Sequence, residues 1–350
     1  MGKLMSFRRL VRRAATWIPT LASTLAAILM TLMAHTAQAE ECKPAETGVA
    51  TLHRLAEDWF SIRGELAGFD PCNRSVTFDK PSWLTRPPLM IVVHGGTGRG
   101  RDTEMAAHHF RRLGMATLIF DAYSMNRINY LGVDFFNRKM TNESRQRMTL
   151  KVTQGAYEWA LTRDDIDTRR IFFWGVSNGA TVVTVMASLA DPAHVQAIFA
   201  EGLPPQGLGL PNQLRVPLHL AYGEHDDYGT RPSANQRQWF RTARCSENTE
   251  VGDLSGRNSL ACNASVNPDS RVEIVEAWFK RMQSGGQPVQ MKIYKDAAHD
   301  FFVAGPVRGT QMKNGNQVGY STGATPRTLD EFLGDVTEVV KRRSVGDSAR

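Results

Sequence analysis

The pattern Gly-x-Ser-x-Gly occurs twice in the sequence, and one copy has neighbours that suit the chemistry of acyl transfer. That copy, at residues 175–179, carries Ser177 between the apolar run Ile171–Trp174 and the mostly apolar stretch Ala180–Ala187. This order predicts a buried strand, a tight turn and a helix. A serine on such a turn presents its hydroxyl above the sheet, where the N–H groups of the following helix also point. Ser177 is therefore the candidate nucleophile.

The second copy, at residues 319–323, carries Ser321 and serves as an internal control. The residues before it, 313–317, are polar and typical of a loop rather than a buried strand. Pro326 follows shortly after and is expected to interrupt any helix that begins there. Because this copy lacks both flanking elements, Ser321 is predicted to be a loop serine without a catalytic role.

An acidic residue and a histidine that could serve Ser177 follow later in the chain. Asp226 and Asp227 come shortly after the apolar run Leu218–Tyr222, and His299 follows a further strand-like run. Attack by serine needs an imidazole that takes the hydroxyl proton, and a buried carboxylate that holds the imidazole in one tautomer. The order Ser, Asp, His along the chain therefore fits nucleophilic catalysis by a serine.

Backbone N–H groups near Ser177 could stabilise the negative charge that develops on the substrate oxygen. Residues 94–98 are rich in glycine, which lets backbone groups approach a ligand closely. One N–H, from Gly96 or Thr97, and the N–H of Asn178 are the predicted oxyanion hole. His94 is expected to fix this loop rather than to accept a proton.

Apolar runs alternate with amphipathic stretches from Leu89 onward, which is typical of a mostly parallel sheet covered by helices on both faces. The predicted strands are Leu89–Val93, Ala116–Phe120, Ile171–Trp174, Ala197–Ala200, Leu218–Tyr222 and Val289–Tyr294. Helices are predicted near residues 105–113, 148–159, 181–187, 272–282 and 329–340. The chemistry of such sheets gathers at the carboxyl ends of the strands, where all the candidate residues lie.

Residues 1–39 have the organisation of a signal peptide. Five basic residues precede an apolar stretch from Trp17 to Met33, and residues 37–39 are suitable for cleavage. An uncleaved membrane anchor is the alternative, although the apolar stretch is slightly short for one. We expect a periplasmic or secreted protein without stable membrane insertion. Residues 40–350 are expected to form a single domain, because no Gly/Ser- or Pro-rich linker divides them.

The charge of the chain gives no support to a role in nucleic-acid binding. The formal net charge of +7 falls to +2 when the five basic residues of the predicted signal peptide are removed. The remaining charges are interspersed and form no basic tract that could follow a phosphate backbone. The expected partner is a small molecule.

Four cysteines remain after the predicted cleavage: Cys42, Cys72, Cys245 and Cys262. An even number of cysteines in an exported chain favours disulfides, and we expect the local pairs Cys42–Cys72 and Cys245–Cys262. A metal site is the alternative, but the chain lacks a C-x-x-C spacing and a nearby histidine cluster.

These motifs resemble the α/β-hydrolase superfamily and, within it, the dienelactone hydrolase-like branch, over roughly residues 88–340. The resemblance rests on His94-Gly95-Gly96, the stretch 120–124 with Arg127, the Ser177 turn, the stretch 223–227 and Ala298-His299-Asp300-Phe301. It implies a catalytic triad of Ser177, Asp226 and His299. The family's spacing from Gly223 places the acid at Asp226 rather than Asp227.

Two positions depart from the family pattern. Dienelactone hydrolase uses a cysteine where Ser177 stands, which suggests ordinary esters rather than dienelactones as substrates. The family's glycine after the histidine is Asp300 here, a change that could alter the pocket or the pKa of His299. Five aromatic residues on candidate pocket loops hint at an apolar substrate group, although some are expected to be core: Tyr123, Tyr130, Phe135, Phe136 and Phe301.

The sequence thus predicts hydrolysis of a carboxylic ester through an acyl-serine intermediate, without a metal or an organic cofactor. A serine peptidase and an acyltransferase could use the same triad, and they remain alternatives. A non-catalytic binding protein with the same fold is a third alternative, because a fold does not define a function.

Overall fold

A seven-stranded sheet forms the centre of the protein in the computed structural model. The structure describes residues 66–127, 142–204, 207–224, 226, 271–303, 312–313, 316–317 and 322–345, all in the same compact unit. Several predicted features lie outside the described residues: the signal peptide, Cys42, Cys245, Cys262, Asp227, Ser321, Tyr130, Phe135 and Phe136.

The strands of this sheet are nearly all parallel. They are β1 (Thr77–Asp79), β2 (Leu89–Val93), β3 (Ala116–Ile119), β4 (Ile171–Val176), β5 (Val195–Glu201), β6 (Leu218–Gly223) and β7 (Val289–Tyr294). Their order is β1-β3-β2-β4-β5-β6-β7, and only the pairing of β1 with β3 is antiparallel. A short antiparallel pair, β8 (Met312–Lys313) and β9 (Asn316–Gln317), lies outside this sheet. All six strands predicted from the sequence are present, and the α/β fold class is confirmed.

Six helices lie in the described part of the chain. They are α1 (Arg101–Arg112), α2 (Ala122–Met125), α3 (Asn142–Leu161), α4 (Asn178–Leu189), α5 (Arg271–Ser284) and α6 (Pro326–Val345). Five of them match the predicted helices, and the short α2 does not. Pro326 was expected to interrupt any helix that begins just after the second Gly-x-Ser-x-Gly pattern, but it is the first residue of α6. The fixed φ of proline and its missing N–H are both acceptable at that position.

Two apolar layers cover the two faces of the sheet, and β4 supplies side chains to both. Phe173 packs in the layer that contains residues of α3, α4 and α5. Phe172 and Trp174 point to the opposite layer, which contains residues of α1 and α6. A strand covered on both faces has no reason to alternate apolar and polar residues, which explains its continuous apolar run.

The edges of the sheet differ from this centre. The three-residue strand β1 is too short to give a sequence signal, and it was not predicted. Strand β7 lies at the other edge, where it exposes several side chains, and Ile293 is 47% exposed. Within the described residues, no helix has the length and apolar character needed to cross a membrane.

Candidate active site

Ser177 occupies a strained turn between β4 and α4. Its φ of 54° and ψ of −121° lie in a region that residues with a side chain rarely adopt. Such a conformation costs on the order of 1–3 kcal/mol and persists only where the surroundings hold it. The Ser177 N–H donates to the carbonyl oxygen of Glu201 at 2.9 Å, which ties the turn to the end of β5. The strand, turn and helix predicted around Ser177 are therefore present.

The two glycines of the pattern are required by close packing. A Cβ on Gly175 would lie 2.5 Å from the carbonyl oxygen of Gly179, and one on Gly179 would collide with the carbonyl oxygens of Val93 and His94. The turn thus fits against the end of β2 only because neither glycine has a side chain.

His299 and Asp226 form a buried pair at the ends of β7 and β6. His299 Nδ1 lies 3.0 Å from Asp226 Oδ2, and the two side chains are 3% and 1% exposed. The Asp226 N–H donates to the carbonyl oxygen of Gly223 at 3.1 Å, which holds the aspartate close to its strand. A carboxylate accepts but does not donate, so Nδ1 carries the proton in this bond and Nε2 carries the lone pair.

The loop that carries His299 is anchored in the apolar core by the residues that follow it. Phe301 and Phe302 are 1% and 2% exposed. Phe301 meets the ring of Phe332 at 5.4 Å between centroids, and Phe302 meets the ring of Trp174 at 5.2 Å. Phe301 is therefore a core residue, so the hint that it lines a pocket for the substrate has no support.

The last glycine of the second Gly-x-Ser-x-Gly pattern, Gly323, supports the same loop. The Ala298 N–H donates to the carbonyl oxygen of Gly323 at 2.9 Å, and the Gly323 N–H donates back to that of His299 at 3.1 Å. Gly323 has a φ of 89°, which favours glycine at this position. The glycine of the second pattern thus has a structural reason that involves no nucleophile.

Gly202 brings the backbone of β5 against the histidine pair. A Cβ on Gly202 would lie 2.8 Å from two ring atoms of His299 and 3.4 Å from Asp226 Oδ2. Its φ of 58° also suits glycine. Because Gly202 directly follows Glu201, one short segment contacts the Ser177 turn through its carbonyl group and the His299 ring through its Cα.

The Ser177 hydroxyl makes no hydrogen bond within the described part of the chain. Catalytic hydrogen bonds are often long before substrate binds, so this geometry is compatible with a serine that pairs with His299 in the complex. The structure thus places Ser177, His299 and Asp226 around the end of β5, and it shows one of the two bonds that a triad requires.

The side chain of Glu201 is buried beneath this site. Its two carboxyl oxygens accept from Trp174 Nε1, at 3.2 Å, and from the N–H of Phe301. Burial raises the pKa of Glu201 to about 8, and the nearby charges of Asp226 and Asp102 add to the rise. Glu201 is therefore largely a neutral acid at pH 7.

Two further carboxyl groups share this environment. Asp300 follows the histidine with a φ of 66°, a conformation that explains why glycine suits this position in the family. Burial, together with the charges of Asp102 and Glu201, holds the pKa of Asp300 well above its usual range. Burial also raises the pKa of Asp102. Among the described residues, these carboxyl groups form no cluster suited to a metal ion.

The predicted oxyanion loop lies directly beside the Ser177 turn. A Cβ on Gly95 would be 3.6 Å from the Cβ of Ser177. The backbone N–H groups of Gly96, Thr97 and Asn178 donate to no acceptor among the described residues. These are the three groups named from the sequence, and they remain available to a substrate oxygen.

His94 holds the start of this loop in place as a neutral ring. The Ala122 N–H donates to His94 Nε2 at 3.1 Å, so that nitrogen carries no proton. The proton is therefore on Nδ1, which lies 2.8 Å from the carbonyl oxygen of Gly95. Asp121 Oδ1 lies 3.8 Å from Nε2, too far for a hydrogen bond, and instead accepts from the N–H of Tyr123. His94 thus fixes the loop, as expected.

Buried polar side chains adjoin this loop. The Tyr123 hydroxyl donates to the carbonyl oxygen of Gly96 at 3.2 Å. The Asn178 side chain packs on Gly96, where a Cβ would lie 2.9 Å from Asn178 Nδ2. Gln146 Nε2 donates to Asn178 Oδ1 at 3.2 Å, and Gln146 Oε1 accepts from the N–H of Leu208 at 2.8 Å. Tyr123 is fully buried, so it does not line an open pocket.

The sequence reading missed four residues that shape the site: Glu201, Gly202, Tyr123 as a buried hydrogen-bonding group, and Gln146. Glu201 had a usable signal, because it is a charged residue at the carboxyl end of an otherwise apolar strand. The other three depend on contacts between distant segments, which one sequence does not reveal.

A cavity of about 480 Å³ lies elsewhere, where α5 and α6 meet the edge strand β7. His219, Gln290, Lys292 and Asp335 are among the residues that line it, and Ser177, Asp226 and His299 are not. This cavity is therefore separate from the candidate active site.

The predicted cysteine pairs stay predictions. Cys72 is partly buried, and its N–H donates to Asp70 Oδ1 at 2.9 Å. The other three cysteines lie outside the described residues.

The strand order, the antiparallel first strand, the helices on both faces and the serine turn after β4 together define an α/β-hydrolase fold. No protein-family model matches the sequence, and no curated protein is significantly similar to it. Solved structures to which the chain is similar include proteins named as dienelactone hydrolases.

Three solved structures illustrate this likeness. Dienelactone hydrolase from Anabaena variabilis is 16% identical, with a TM-score of 0.47, over 76% of this chain and 90% of that one. A dienelactone hydrolase-like promiscuous phosphotriesterase from metagenomic libraries is 13% identical, with a TM-score of 0.49, over 76% and 91%. An esterase from Pyrococcus furiosus is 15% identical, with a TM-score of 0.43, over 73% and 83%.

Proposed function

We propose that this protein is a serine hydrolase that cleaves a carboxylic ester of a small molecule. Ser177 is the nucleophile, His299 is the general base and acid, and Asp226 orients the histidine. The observation that carries this proposal is the buried His299–Asp226 pair at 3.0 Å beside a serine held on a strained strand–helix turn. Neither a structural histidine nor an ordinary loop serine needs this combination.

The proposed reaction follows from the proton positions. His299 Nε2 takes the proton of the Ser177 hydroxyl as the serine oxygen bonds to the carbonyl carbon. The negative charge then moves to the carbonyl oxygen, which the N–H groups of Asn178 and of Gly96 or Thr97 stabilise. The tetrahedral intermediate collapses, and the alcohol leaves with the proton held by His299. Water repeats the sequence on the acyl-serine and releases the acid and the free serine.

The ester class is the best supported choice of substrate. A serine hydroxyl activated in this way suits acyl transfer, and no step of that reaction requires a cofactor. Solved structures of similar fold include proteins named as dienelactone hydrolases and esterases. We also propose that residues 1–39 direct export, and that the mature protein acts in the periplasm or outside the cell.

The first test uses the two serines of the repeated pattern as a matched pair. Ser177→Ala should lower the hydrolysis of p-nitrophenyl acetate by several orders of magnitude and abolish labelling by a fluorophosphonate probe, because the nucleophile is lost. Ser321→Ala changes the same pattern at the copy that no long apolar strand precedes, and it should leave both signals nearly unchanged.

Both variants should be compared with wild type by thermal melting, so that unfolding is not mistaken for loss of chemistry. An equal loss of activity in the two variants would contradict the assignment of Ser177. Wild-type protein that neither reacts with the probe nor hydrolyses esters would favour a non-catalytic role for this fold.

A further inference from the structure

We propose that Tyr123 and the side chain of Asn178 are positioning residues that aim the N–H groups of the oxyanion hole. This inference rests on the proposed function, because it assumes that Ser177 attacks a carbonyl group. Neither side chain is expected to touch the substrate. Both act through the peptide groups of the loop at Gly95–Thr97.

The Tyr123 hydroxyl orients the peptide group that joins Gly96 and Thr97. A peptide is planar and trans, so its C=O and N–H point in opposite directions. The Tyr123 hydroxyl donates to the Gly96 carbonyl oxygen at 3.2 Å. This bond fixes the direction of the Thr97 N–H on the other side of the same peptide.

The preceding peptide group, between Gly95 and Gly96, is also held through its carbonyl oxygen. The Gly95 carbonyl oxygen accepts from His94 Nδ1 at 2.8 Å and from the Gly98 N–H at 3.3 Å. The carbonyl groups of both peptides are therefore held by named partners. Their N–H groups donate to none of the described residues. The loop is thus built with its carbonyl groups occupied and its N–H groups available.

Tyr123 is itself held in place by burial and by contact with the His94 ring. Its ring is fully buried, 4.9 Å from the His94 ring, and burial raises the pKa of its hydroxyl, which stays protonated. Asn178 Oδ1 accepts from Gln146 Nε2 at 3.2 Å, and Gln146 Oε1 accepts from the Leu208 N–H at 2.8 Å. The Asn178 side chain is therefore also held in place by hydrogen bonds.

Asn178 contributes to the proposed oxyanion hole with both its backbone and its side chain. Its backbone N–H is one predicted donor to the substrate oxygen. Its side chain packs on the loop that carries the other donor, since a Cβ on Gly96 would lie 2.9 Å from Asn178 Nδ2. The two donors are therefore coupled through this contact.

The test is Tyr123→Phe, which removes only the hydroxyl. Losing an oxyanion donor outright costs about 10²–10³ in kcat, so a misaimed donor should cost less, about tenfold. KM should stay within about twofold, because the donors act on charge that develops only in the transition state. Affinity for a phenylboronic acid, which forms a tetrahedral adduct on the serine, should fall by the same factor as kcat/KM.

Tyr157→Phe is the matched control, because it removes a hydroxyl from a tyrosine that packs on Phe173, away from Ser177. It should leave kcat, KM and boronic acid affinity unchanged. Asn178→Ala keeps the backbone donor but removes the side chain that packs on Gly96. It is a second variant in case Tyr123→Phe fails to fold. It should lower kcat and boronic acid affinity together as well.

Fluorophosphonate labelling separates the two hypotheses. An active, labelled wild type combined with a Tyr123→Phe variant of unchanged kcat and boronic acid affinity would overturn the positioning role. A variant that only raises KM or only lowers the melting temperature would do the same, since either result indicates a purely structural tyrosine. A wild type that is neither labelled nor active refutes the proposed function, and the positioning role with it.

Discussion

Ser177 borders two regions that are built on different physical principles. On one side, the loop at Gly95–Thr97 is hydrogen-bonded by neutral groups, the His94 ring and the Tyr123 hydroxyl, and it packs on the Asn178 amide. On the other side, His299 lies among carboxyl groups, with Asp226 in direct contact and a buried acid behind the loop that carries it. We refer to these as the neutral side and the acidic side.

The difference indicates how each side should respond to its surroundings. On the neutral side, the loop is oriented by hydrogen bonds and packing, so the geometry of these contacts sets the strength of the proposed oxyanion hole. On the acidic side, several carboxyl groups are buried close together, so protonation and structure are linked. Mutations on the neutral side should therefore act on kcat, and those on the acidic side should also change the dependence on pH.

The largest effect on the acidic side is expected for Asp226→Asn. The amide has nearly the same shape as the carboxylate, but its NH2 group can hold His299 in the wrong tautomer, a change that costs on the order of 10⁴ in kcat in a related triad. Steady-state kinetics should show this loss with little change in melting temperature.

The neighbouring residue provides the control for that experiment. Asp227→Asn removes the same charge one position further along and should cost at most about tenfold. If Asp227→Asn is the inactive variant instead, the contact seen between Asp226 and His299 is not the functional one, and the acid of the proposed triad has been misassigned.

A smaller but substantial effect is expected for Gly202→Ala. The new methyl group would lie 2.8 Å from two atoms of the His299 ring, so the histidine or the backbone must move. A displacement of this size near reacting groups can cost about 10² in kcat. The loss should appear in steady-state kinetics, with KM changed much less.

Gly209→Ala separates this contact from backbone strain. Gly209 also has a positive φ, of 80°, but a Cβ there would meet nothing within 4 Å. This variant should lose about 1 kcal/mol of stability and little activity. Equal losses of activity in the two alanine variants would show that strain, and not contact with His299, limits the enzyme.

A further effect is expected in stability rather than in kcat, through its dependence on pH. Because the folded-state pKa of Glu201 is raised to about 8, the unfolded chain gives up this proton at lower pH than the folded chain does. The stabilising contribution of the group is therefore complete below the ordinary glutamate pKa and is lost as pH rises to about 8. The slope for one such group is about 1.4 kcal/mol per pH unit.

Glu201→Gln should make this slope shallower between about pH 5 and pH 8, as measured by urea unfolding at several pH values. Asp102 and Asp300 also have raised pKa values and contribute with the same sign, so part of the slope will remain. The glutamine leaves one of two buried N–H donors without an acceptor, which lowers stability at every pH. Tyr123→Phe, on the neutral side, should leave the slope unchanged. A slope that Glu201→Gln does not alter would show that the acidic side does not take up protons on folding.

The two sides also differ in how far the sequence predicts them. Ser177, Asp226 and His299 could be named because each follows a recognisable strand, and the carboxyl ends of parallel strands share one edge of the sheet. The same rule places Glu201 at this edge of the sheet, although Glu201 was not among the predicted site residues.

The side-chain contacts of the neutral side could not be predicted from the sequence. Tyr123, Asn178 and Gln146 belong to three helices, and only the packing of those helices on the sheet brings their side chains together. The short strand β1 and the short helix α2 were missed for a simpler reason, since three or four residues give no measurable periodicity. Long apolar strands were predictable because both of their faces are buried.

The position of β4 within the sheet has a consequence for how the protein opens. This strand pairs with β2 and β5, three strands from the exposed edge at β7. Edge elements can separate from a folded domain by local fraying, whereas a central strand is released only when most of the domain unfolds. The Ser177 amide, which is bonded to β5, therefore belongs to the part of the molecule that exchanges its hydrogen last. The strained turn at Ser177 is attached to the central strand, which is expected to unfold last. Local fraying of the edge strands should therefore leave the proposed nucleophile in place.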